Sequence, residues 1–182
     1  EGSTRVPGLY VAGDIKGVPL LKLAADSGAR TVHTIAAEPS FQQRDRDNPD
    51  VLDLVIVGCG VAGLAAAMEA SRQGWRYEIL DATEPLSTLL TFPQGKPIYT
   101  YPTEMTPAGQ LQFSGRSDVK EGLVAELRGY MAANGVTARC VRATQVQRGN
   151  RNLEVMLEQG QPLAAYRVIV AIGRSGNYRR LH

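Results

Sequence analysis

Three glycines at fixed spacing are the residues of this sequence that most directly indicate a chemistry. Gly58, Gly60 and Gly63 fill the glycine positions of a G-x-G-x-x-G pattern, which follows an apolar run that begins at Leu52. In such a pattern the first glycine permits a tight turn, the second lets a phosphate approach the backbone, and the third lets a helix pack closely on a strand. The free N–H groups and the positive end of the helix dipole then face an anion. The stretch therefore predicts a binding site for the pyrophosphate of a dinucleotide.

An acidic residue lies where such a site needs one. Tyr77–Leu80 is typical of a second strand, and Asp81 follows it, 23 residues after Gly58. A carboxylate at that position accepts hydrogen bonds from ribose hydroxyls. The residues that we predict to bind the dinucleotide in this part of the chain are Gly58, Cys59, Gly60, Val61, Ala62, Gly63, Asp81 and Ala82.

A second polar motif ends a short strand near the start of the chain. Leu9–Ala12 is predicted to be that strand, and Gly13 and Asp14 follow it. An apolar stripe at helical spacing then predicts a helix from Pro19 to Ala37, with Pro19 in its first turn. Because α/β sheets bind ligands where strands end and helices begin, Gly13 and Asp14 are candidate binding residues.

The remaining elements alternate between strand and helix patterns, which predicts an α/β fold. Residues 38–50 form a polar linker and residues 83–116 a long irregular segment. Beyond the three strands that begin at Leu9, Leu52 and Tyr77, the predicted elements are a helix at 61–73, a helix at 118–134 capped by Asp118, and strands at 137–141, 144–148, 153–157, 163–165 and 167–171. Together they predict a Rossmann-like, doubly wound sheet of five parallel strands with a three-stranded antiparallel meander.

Composition narrows the classes of function. The 182 residues are 43% hydrophobic and 21% charged with a net charge of +2, which is typical of a globular domain and argues against nucleic acid as a partner. No apolar run is long enough to span a membrane.

Cys59 and Cys140 lack a CxxC partner, so we interpret both as small packed side chains in a cytoplasmic protein. His33 has no partner spacing for a metal or a catalytic triad, and we identify no catalytic residue.

Four segments together resemble the FAD domain of the thioredoxin-reductase-like flavoproteins, which carry two dinucleotide-binding domains. The glycine pattern with Asp81 is similar to the FAD pyrophosphate and ribose site, and residues 4–14 resemble a late Gly-Asp motif of that family. Residues 167–173 are similar to a strand that ends in Ala-Thr-Gly, with Ile172 in place of Thr. Residues 98–106 resemble a flavin-side loop of the bacilliredoxin-reductase branch.

This resemblance implies FAD as the cofactor and assigns further residues to it. Asp14 would bind the ribityl hydroxyls, and the N–H groups of Leu20 and Leu21 would stabilise negative charge at the flavin N1/O2 edge. Tyr99 and Tyr101 would either stack near the flavin or be half-buried loop aromatics. The other candidate contacts are Ser87, Thr88 and Thr100 in the irregular segment, Arg142 and Ala143 near the adenine, and Ala171, Ile172 and Gly173 at the last strand.

The order of the motifs differs from that family. Gly13-Asp14 precedes Gly58 here, whereas in the family the Gly-Asp motif comes last, after an NAD(P)H domain for which this chain has no second glycine pattern. The expected organisation is a Gly-Asp segment (1–37), a linker (38–50) and a glycine-pattern segment (51–182). Either these segments fold together as one permuted FAD domain, which we expect, or they are the tail of one module and the head of another.

The resemblance implies the FAD-binding part of a pyridine-nucleotide-dependent flavoprotein disulfide reductase. Such a part is not competent alone, because NAD(P)H would bind to a domain outside this chain. Two alternatives stay open: a plain NAD(P)-binding Rossmann domain, and a non-catalytic FAD-binding scaffold. A homodimer and the identity of the redox partner also stay open.

Overall fold

A computed structural model describes residues 1–114 and 119–173. The strands are β1 (Leu9–Val11), β2 (Leu52–Val57), β3 (Tyr77–Asp81), β4 (Ala138–Cys140), β5 (Ala143–Arg148), β6 (Leu153–Leu157) and β7 (Leu163–Val170). The helices are α1 (Leu21–Ala36), α2 (Pro39–Gln42), α3 (Val61–Arg72), α4 (Ser87–Leu90) and α5 (Lys120–Ala133), and a 3-10 turn, Gly13–Lys16, precedes α1. Within the described ranges no helix has the length and apolar character needed to cross a membrane.

All of these strands belong to one sheet, in which five run parallel in the order β4–β3–β2–β7–β1. The carboxyl-terminal end of β7 pairs with β1, so that Leu9 lies opposite Val168. The amino-terminal end of β7 pairs on the same edge with β6, and β5 follows β6. The predicted α/β class, with five parallel strands and an antiparallel meander, is confirmed.

Two strands that the sequence analysis separates are one strand in the structure. Residues 163–165 and 167–171 were predicted as a meander strand and a parallel strand, but β7 continues from Leu163 to Val170 without a turn. No glycine or proline interrupts this stretch. Because β6 and β1 share one edge of β7, a single long strand joins the meander to the parallel sheet.

The helices begin and end close to their predicted bounds, with differences at their starts. Helix α1 begins at Leu21, so Pro19 precedes the helix instead of lying in its first turn. The predicted cap Asp118 lies outside the described residues, and the residue before α5 is Val119. The short helices α2 and α4 lie in segments that were predicted to be irregular.

The two segments of the chain that carry the ligand motifs pack directly on each other through α1 and α3. A Cβ at Gly28 would overlap the carbonyl oxygen of Ala62 and crowd the backbone N of Ala66, so the helices approach more closely than any larger residue would permit. Every residue of α3 from Val61 to Ala70 is buried, because the helix lies between α1 and the sheet. This packing places β1 and the start of α1 beside the glycine turn.

The segment predicted as a linker is packed against the amino-terminal end of the sheet. Phe41 is buried and meets Trp75 edge to face, with ring centroids 4.6 Å apart. The Arg44 guanidinium lies over the Phe41 ring and forms a buried ion pair with Asp53. Arg167 of β7 in turn forms an ion pair of 2.7 Å with Glu38. The crossover from α1 to β2 is therefore held by specific contacts.

Candidate dinucleotide site

A cleft of about 480 Å³ lies at the carboxyl ends of β1, β2, β3 and β7. Parallel α/β sheets bind ligands at this end, outside the carboxyl termini of the strands. The predicted residues that line the cleft are Gly13, Asp14, Leu21, Gly58, Gly60, Val61, Ala62, Asp81, Ala82, Ser87, Thr88, Arg142, Ala143, Ala171, Ile172 and Gly173. The structure thus brings the Gly-Asp segment and the glycine-pattern segment to a single cavity.

Among the candidate residues of the glycine turn and of the start of α1, Cys59, Gly63 and Leu20 do not line the cleft. Cys59 is buried beneath the glycine turn, and Gly63 faces the strand rather than the cavity. Leu20 precedes α1, and its N–H donates to the carbonyl of Val18 at 3.0 Å. Of the two predicted N–H donors at this helix, Leu21 is therefore the one at the helix terminus and in the cleft.

Each glycine of the turn has its own structural reason. Gly58 has a φ of 106°, which favours glycine, and a Cβ there would overlap the carbonyl of Ala171. A Cβ at Gly63 would overlap the carbonyl of Gly58, as expected for a helix that packs closely on its strand. A Cβ at Gly60 would meet no atom of the described residues within 4 Å. Gly60 therefore leaves open a space that this part of the fold does not use, as expected for a turn that lets a phosphate approach the backbone.

Asp81 links the end of β3 to the glycine turn. Its Oδ2 accepts the N–H of Cys59 at 2.8 Å, and its Oδ1 accepts the N–H and the hydroxyl of Thr83 at 3.0 and 3.3 Å. An ionised carboxylate accepts about four hydrogen bonds, so it retains acceptor capacity for ribose hydroxyls. Asp81 therefore serves the geometry of the turn and remains able to bind a ligand.

Asp14 is a half-buried carboxylate that faces the cleft. Gly13, directly before it, has a φ of 78° and donates its N–H to the Ser27 hydroxyl at 3.2 Å. No hydrogen bond to the Asp14 side chain is found among the described residues. Burial raises the pKa of the Asp14 carboxyl above its ordinary value. Partial burial therefore disfavours the ionised form of Asp14 in the ligand-free chain. Hydroxyl groups of a bound ligand would supply the hydrogen bonds that the carboxylate can accept.

Two helix amino termini also meet at the cleft. Leu21 is the first residue of α1, and Val61 and Ala62 are the first residues of α3. Neither helix has a side-chain cap at this end. Unpaired N–H groups and the positive ends of two helix dipoles favour negative charge, such as that of a phosphate or a reduced flavin edge.

The Cys59 thiol is buried, as predicted, and burial together with the nearby Asp81 charge raises its pKa to about 12. Such a thiol is protonated at neutral pH and is therefore a poor nucleophile. Cys140 differs from the prediction: it lies on the edge strand β4 and is exposed rather than packed.

The irregular segment supplies a wall of the cleft that the sequence analysis identified only in part. Besides Ser87 and Thr88, the cleft is lined by Leu86 and Leu89. Leu86 adopts a left-handed conformation with a φ of 64° and donates its N–H to the Cys59 carbonyl at 2.9 Å. No local sequence pattern indicates this role, because the contact depends on how the segment returns to the glycine turn.

Other candidates lie outside the cleft or at its rim. Arg142 lines the cleft, but its side chain is exposed, with its Nε 3.8 Å from an oxygen of Glu158. Tyr99 and Tyr101 are 67% and 55% exposed and stack on each other with ring centroids 5.8 Å apart. Neither these tyrosines nor Thr100 line the cleft. The rings are therefore exposed rather than half-buried, and they lie outside the cleft lining.

Comparisons with known proteins agree with this geometry. Residues 53–100 match the model of the FAD binding domain family. A comparison with curated protein sequences found no match. The matched segment covers the glycine turn, Asp81 and the first part of the irregular segment, which are the elements that form one side of the cleft.

Solved structures of flavoproteins share the fold. A bacillithiol disulfide reductase from Staphylococcus aureus superposes with a TM-score of 0.59 at 15% identity, over 68% of this chain and 39% of that chain. A flavin-containing monooxygenase from Stenotrophomonas maltophilia gives 0.57 at 24% identity, over 68% and 38%. A thioredoxin reductase from T. acidophilum gives 0.51 at 21% identity, over 66% and 35%. The matches span about two fifths or less of the length of these proteins.

The residues present fit the cofactor that these comparisons support. The backbone at Gly60 is open toward the cleft, and the Asp14 carboxylate, which accepts no hydrogen bond from the described residues, faces the same cleft; a phosphate and a polyol chain are groups of the kind that such positions bind. The prediction made from the four sequence segments is confirmed: the chain has the fold of the FAD domain of the thioredoxin-reductase-like flavoproteins, and FAD is the dinucleotide that its family match supports.

Proposed function

We propose that both segments of this chain build one FAD site, and that the chain is the FAD-binding part of a pyridine-nucleotide-dependent flavoprotein reductase. The observation that carries the proposal is the joint lining of one cleft. Asp14 and Leu21 come from the first segment, whereas Gly60 and Asp81 come from the second. One folded domain, rather than two half-modules, accounts for the pairing of β1 with β7 and for the close packing of α1 on α3.

Each part of the cleft has a role toward the cofactor. The backbone at Gly60 and the start of α3 would hold the pyrophosphate, and Asp81 would accept the adenosine ribose hydroxyls. Asp14 would accept the ribityl hydroxyls, and the N–H of Leu21 would face the flavin. Bound FAD supplies the hydride and electron chemistry, while this chain binds the cofactor, orients it and provides positive potential at its flavin end.

The reductase assignment rests on the type of fold. Two of the structures described above are named as a disulfide reductase and a thioredoxin reductase. NAD(P)H would reduce the flavin from a domain outside this chain. The two free cysteines support a reducing, cytoplasmic location.

The direct test is the visible absorbance of the purified chain after incubation with FAD and desalting. We expect a retained flavin band, and we expect Asp14→Ala to weaken FAD binding at least about tenfold, or about 1.4 kcal/mol. Asp47→Ala, which removes an exposed carboxylate of the crossover, is the matched control and should bind as the parent does.

Three results would contradict the proposal. Unchanged binding by Asp14→Ala, with loss of binding by Asp81→Asn, would show that the first segment is not part of the site. Retention of NAD instead of FAD would identify a plain NAD(P)-binding domain. A full-length protein whose bound flavin NAD(P)H does not reduce would be a scaffold.

A further inference from the structure

A segment that lies along α1 is held there by side chains that the FAD site does not use. We define this strap as residues 98–112; its two ends are anchored in the core by the buried side chains of Ile98 and Leu111. Between them no residue belongs to a helix or strand. The strap therefore depends on side chains of α1 and α3 for its position.

Contacts along α1 define the path of the strap. At the amino-terminal end of the helix, Lys22 Nζ donates to the carbonyls of Pro102 and Thr103 at 3.0 and 2.9 Å. One turn further, Asp26 Oδ1 accepts the N–H of Ala108 at 2.8 Å. The strap thus runs from the cleft end of α1 toward its carboxyl end, and Lys22 directly follows Leu21, which lines the cleft.

Glu69 of α3 is the anchor at the far end. Its side chain is fully buried, and its Oε1 accepts the N–H of Gln110 at 2.9 Å. Gly109 packs so closely that a Cβ there would crowd the same oxygen and Ala29 of α1. The strap consequently reaches the interface of α1 and α3 at this point, where no larger residue fits.

The other carboxylate oxygen of Glu69, Oε2, is contacted by two more exposed side chains, His33 and Arg72. His33 Nε2 lies 2.9 Å from Oε2, and Arg72 donates to Oε2 from Nη2 at 2.8 Å and from Nε at 3.0 Å. Burial acts to raise the pKa of this carboxyl, but the hydrogen bonds from His33, Arg72 and Gln110 outweigh it and lower the pKa. The carboxylate is therefore a charged and fully satisfied acceptor, a strong anchor for a backbone N–H.

We propose that Glu69 is a positioning residue that fixes the strap along α1 and thereby keeps residues 98–103 at the flavin end of the cleft. This role rests on the proposed FAD site. The exposed Tyr99–Tyr101 pair lies on this part of the strap, next to the residues that Lys22 holds. A fixed strap restricts access to the flavin end and slows release of the cofactor.

Two variants test the strap from its opposite ends. Glu69→Gln keeps the shape of the anchor but removes its charge, and Lys22→Met keeps the packed stem but removes the donor at the cleft end. Glu78→Gln is the control, because Glu78 pairs with Arg139 on strands β3 and β4, away from the strap. Far-ultraviolet circular dichroism verifies that each chain is folded. If Glu69→Gln does not fold, Lys22→Met alone tests whether side-chain contacts hold the strap along α1.

The first measurement uses the FAD-free chain and is independent of the proposed function. Chymotrypsin cleavage after Tyr99 requires local release of the strap. We expect cleavage at this site to be at least about tenfold faster in both variants, which corresponds to about 1.4 kcal/mol. An unchanged cleavage rate in folded variants would overturn the proposal.

The second measurement uses the FAD-loaded chain. We expect both variants to bind FAD with the parent stoichiometry, to release it at least about tenfold faster, and to show an altered visible circular dichroism band of the bound flavin. A purely structural role of Glu69 would leave that band unchanged and would overturn the positioning role. If the parent chain itself does not bind FAD, the proposed function fails, while the cleavage rates still decide whether Glu69 fixes the strap.

Discussion

The N–H of Cys59 donates a hydrogen bond of 2.8 Å to Oδ2 of Asp81, which joins the glycine turn to the end of the neighbouring strand. This contact gives the acidic residue a role before any ligand binds. Asp81 aligns the turn while it retains acceptor capacity for a ribose.

Replacement of Asp81 by Asn tests this dual role. We expect FAD affinity to fall about 10- to 100-fold, because a hydrogen bond to a charged group contributes about 1.5–3 kcal/mol. Titration of the chain with FAD, followed by flavin fluorescence, measures the change. Asp47→Asn, an exposed change in the crossover, should bind as the parent chain does, and equal affinities in all three chains would refute the role of Asp81.

Gly60→Ala should separate folding from binding. A Cβ at Gly60 meets no atom within 4 Å in the part of the chain that the structure describes, so we expect an unchanged free energy of unfolding. The same methyl group would occupy the space of the pyrophosphate, and FAD affinity should fall at least about tenfold. Urea unfolding and FAD titration measure the two effects. Normal FAD affinity in this variant would contradict a pyrophosphate at the glycine turn.

Gly28→Ala should destabilise the chain because it forces α1 away from α3. The added methyl group would overlap the Ala62 carbonyl, and overpacking of this kind costs about 1–3 kcal/mol. Gly129→Ala in α5 is the matched control, since a Cβ there meets nothing. An Ala in an open helix interior gains about 0.5–1 kcal/mol over Gly. In urea unfolding, we expect Gly28→Ala to lower the free energy of unfolding and Gly129→Ala to raise it. A rise in both variants would argue against the close packing of α1 on α3.

Asp14 should reduce the stability of the FAD-free chain at neutral pH. Its raised pKa means that the folded chain binds the proton more tightly than the unfolded chain. The ionised group therefore opposes folding above its folded-state pKa, and this cost disappears as the pH falls through that value.

We accordingly expect Asp14→Asn to have the higher melting temperature at neutral pH. The difference between the two chains should shrink as the pH falls and level off below the ordinary aspartate pKa of about 3.9. Thermal unfolding across this range measures it. A lower melting temperature for Asp14→Asn at neutral pH would mean that Asp14 has a stabilising partner after all.

The two cysteines should differ sharply in reactivity. Cys140 is exposed, whereas Cys59 is buried and its pKa is raised to about 12. A chromogenic disulfide reagent should modify one thiol of the folded chain rapidly and the other only after unfolding. Cys140→Ser should abolish the rapid phase. Rapid modification of Cys59, located by mass spectrometry, would show that the glycine turn opens in solution.

Sequence reasoning predicted the glycine turn and Asp81 well because their roles are local. Gly58, Gly60 and Gly63 lie within one turn between a strand and a helix, so their spacing alone reflects the backbone geometry. Asp14 is separate in sequence: its position at a strand end made it a candidate, but its assignment to the ribityl chain required the resemblance to a family. The meander and β7 were separated wrongly because no local signal shows that two strands can share one edge of a third.

The sequence by itself determined the α/β class, the glycine turn and the type of ligand, because periodicity and turn chemistry act over a few residues. Only the tertiary structure decided that Asp14 and Gly60 face the same cleft and that Leu86 completes its wall. Only the tertiary structure showed that Glu69, which appears in the sequence as the one acidic residue of an apolar helix, is a buried anchor for the strap. These relationships depend on how α1, α3 and the irregular segment pack, and contacts between distant segments have no signature in local spacing.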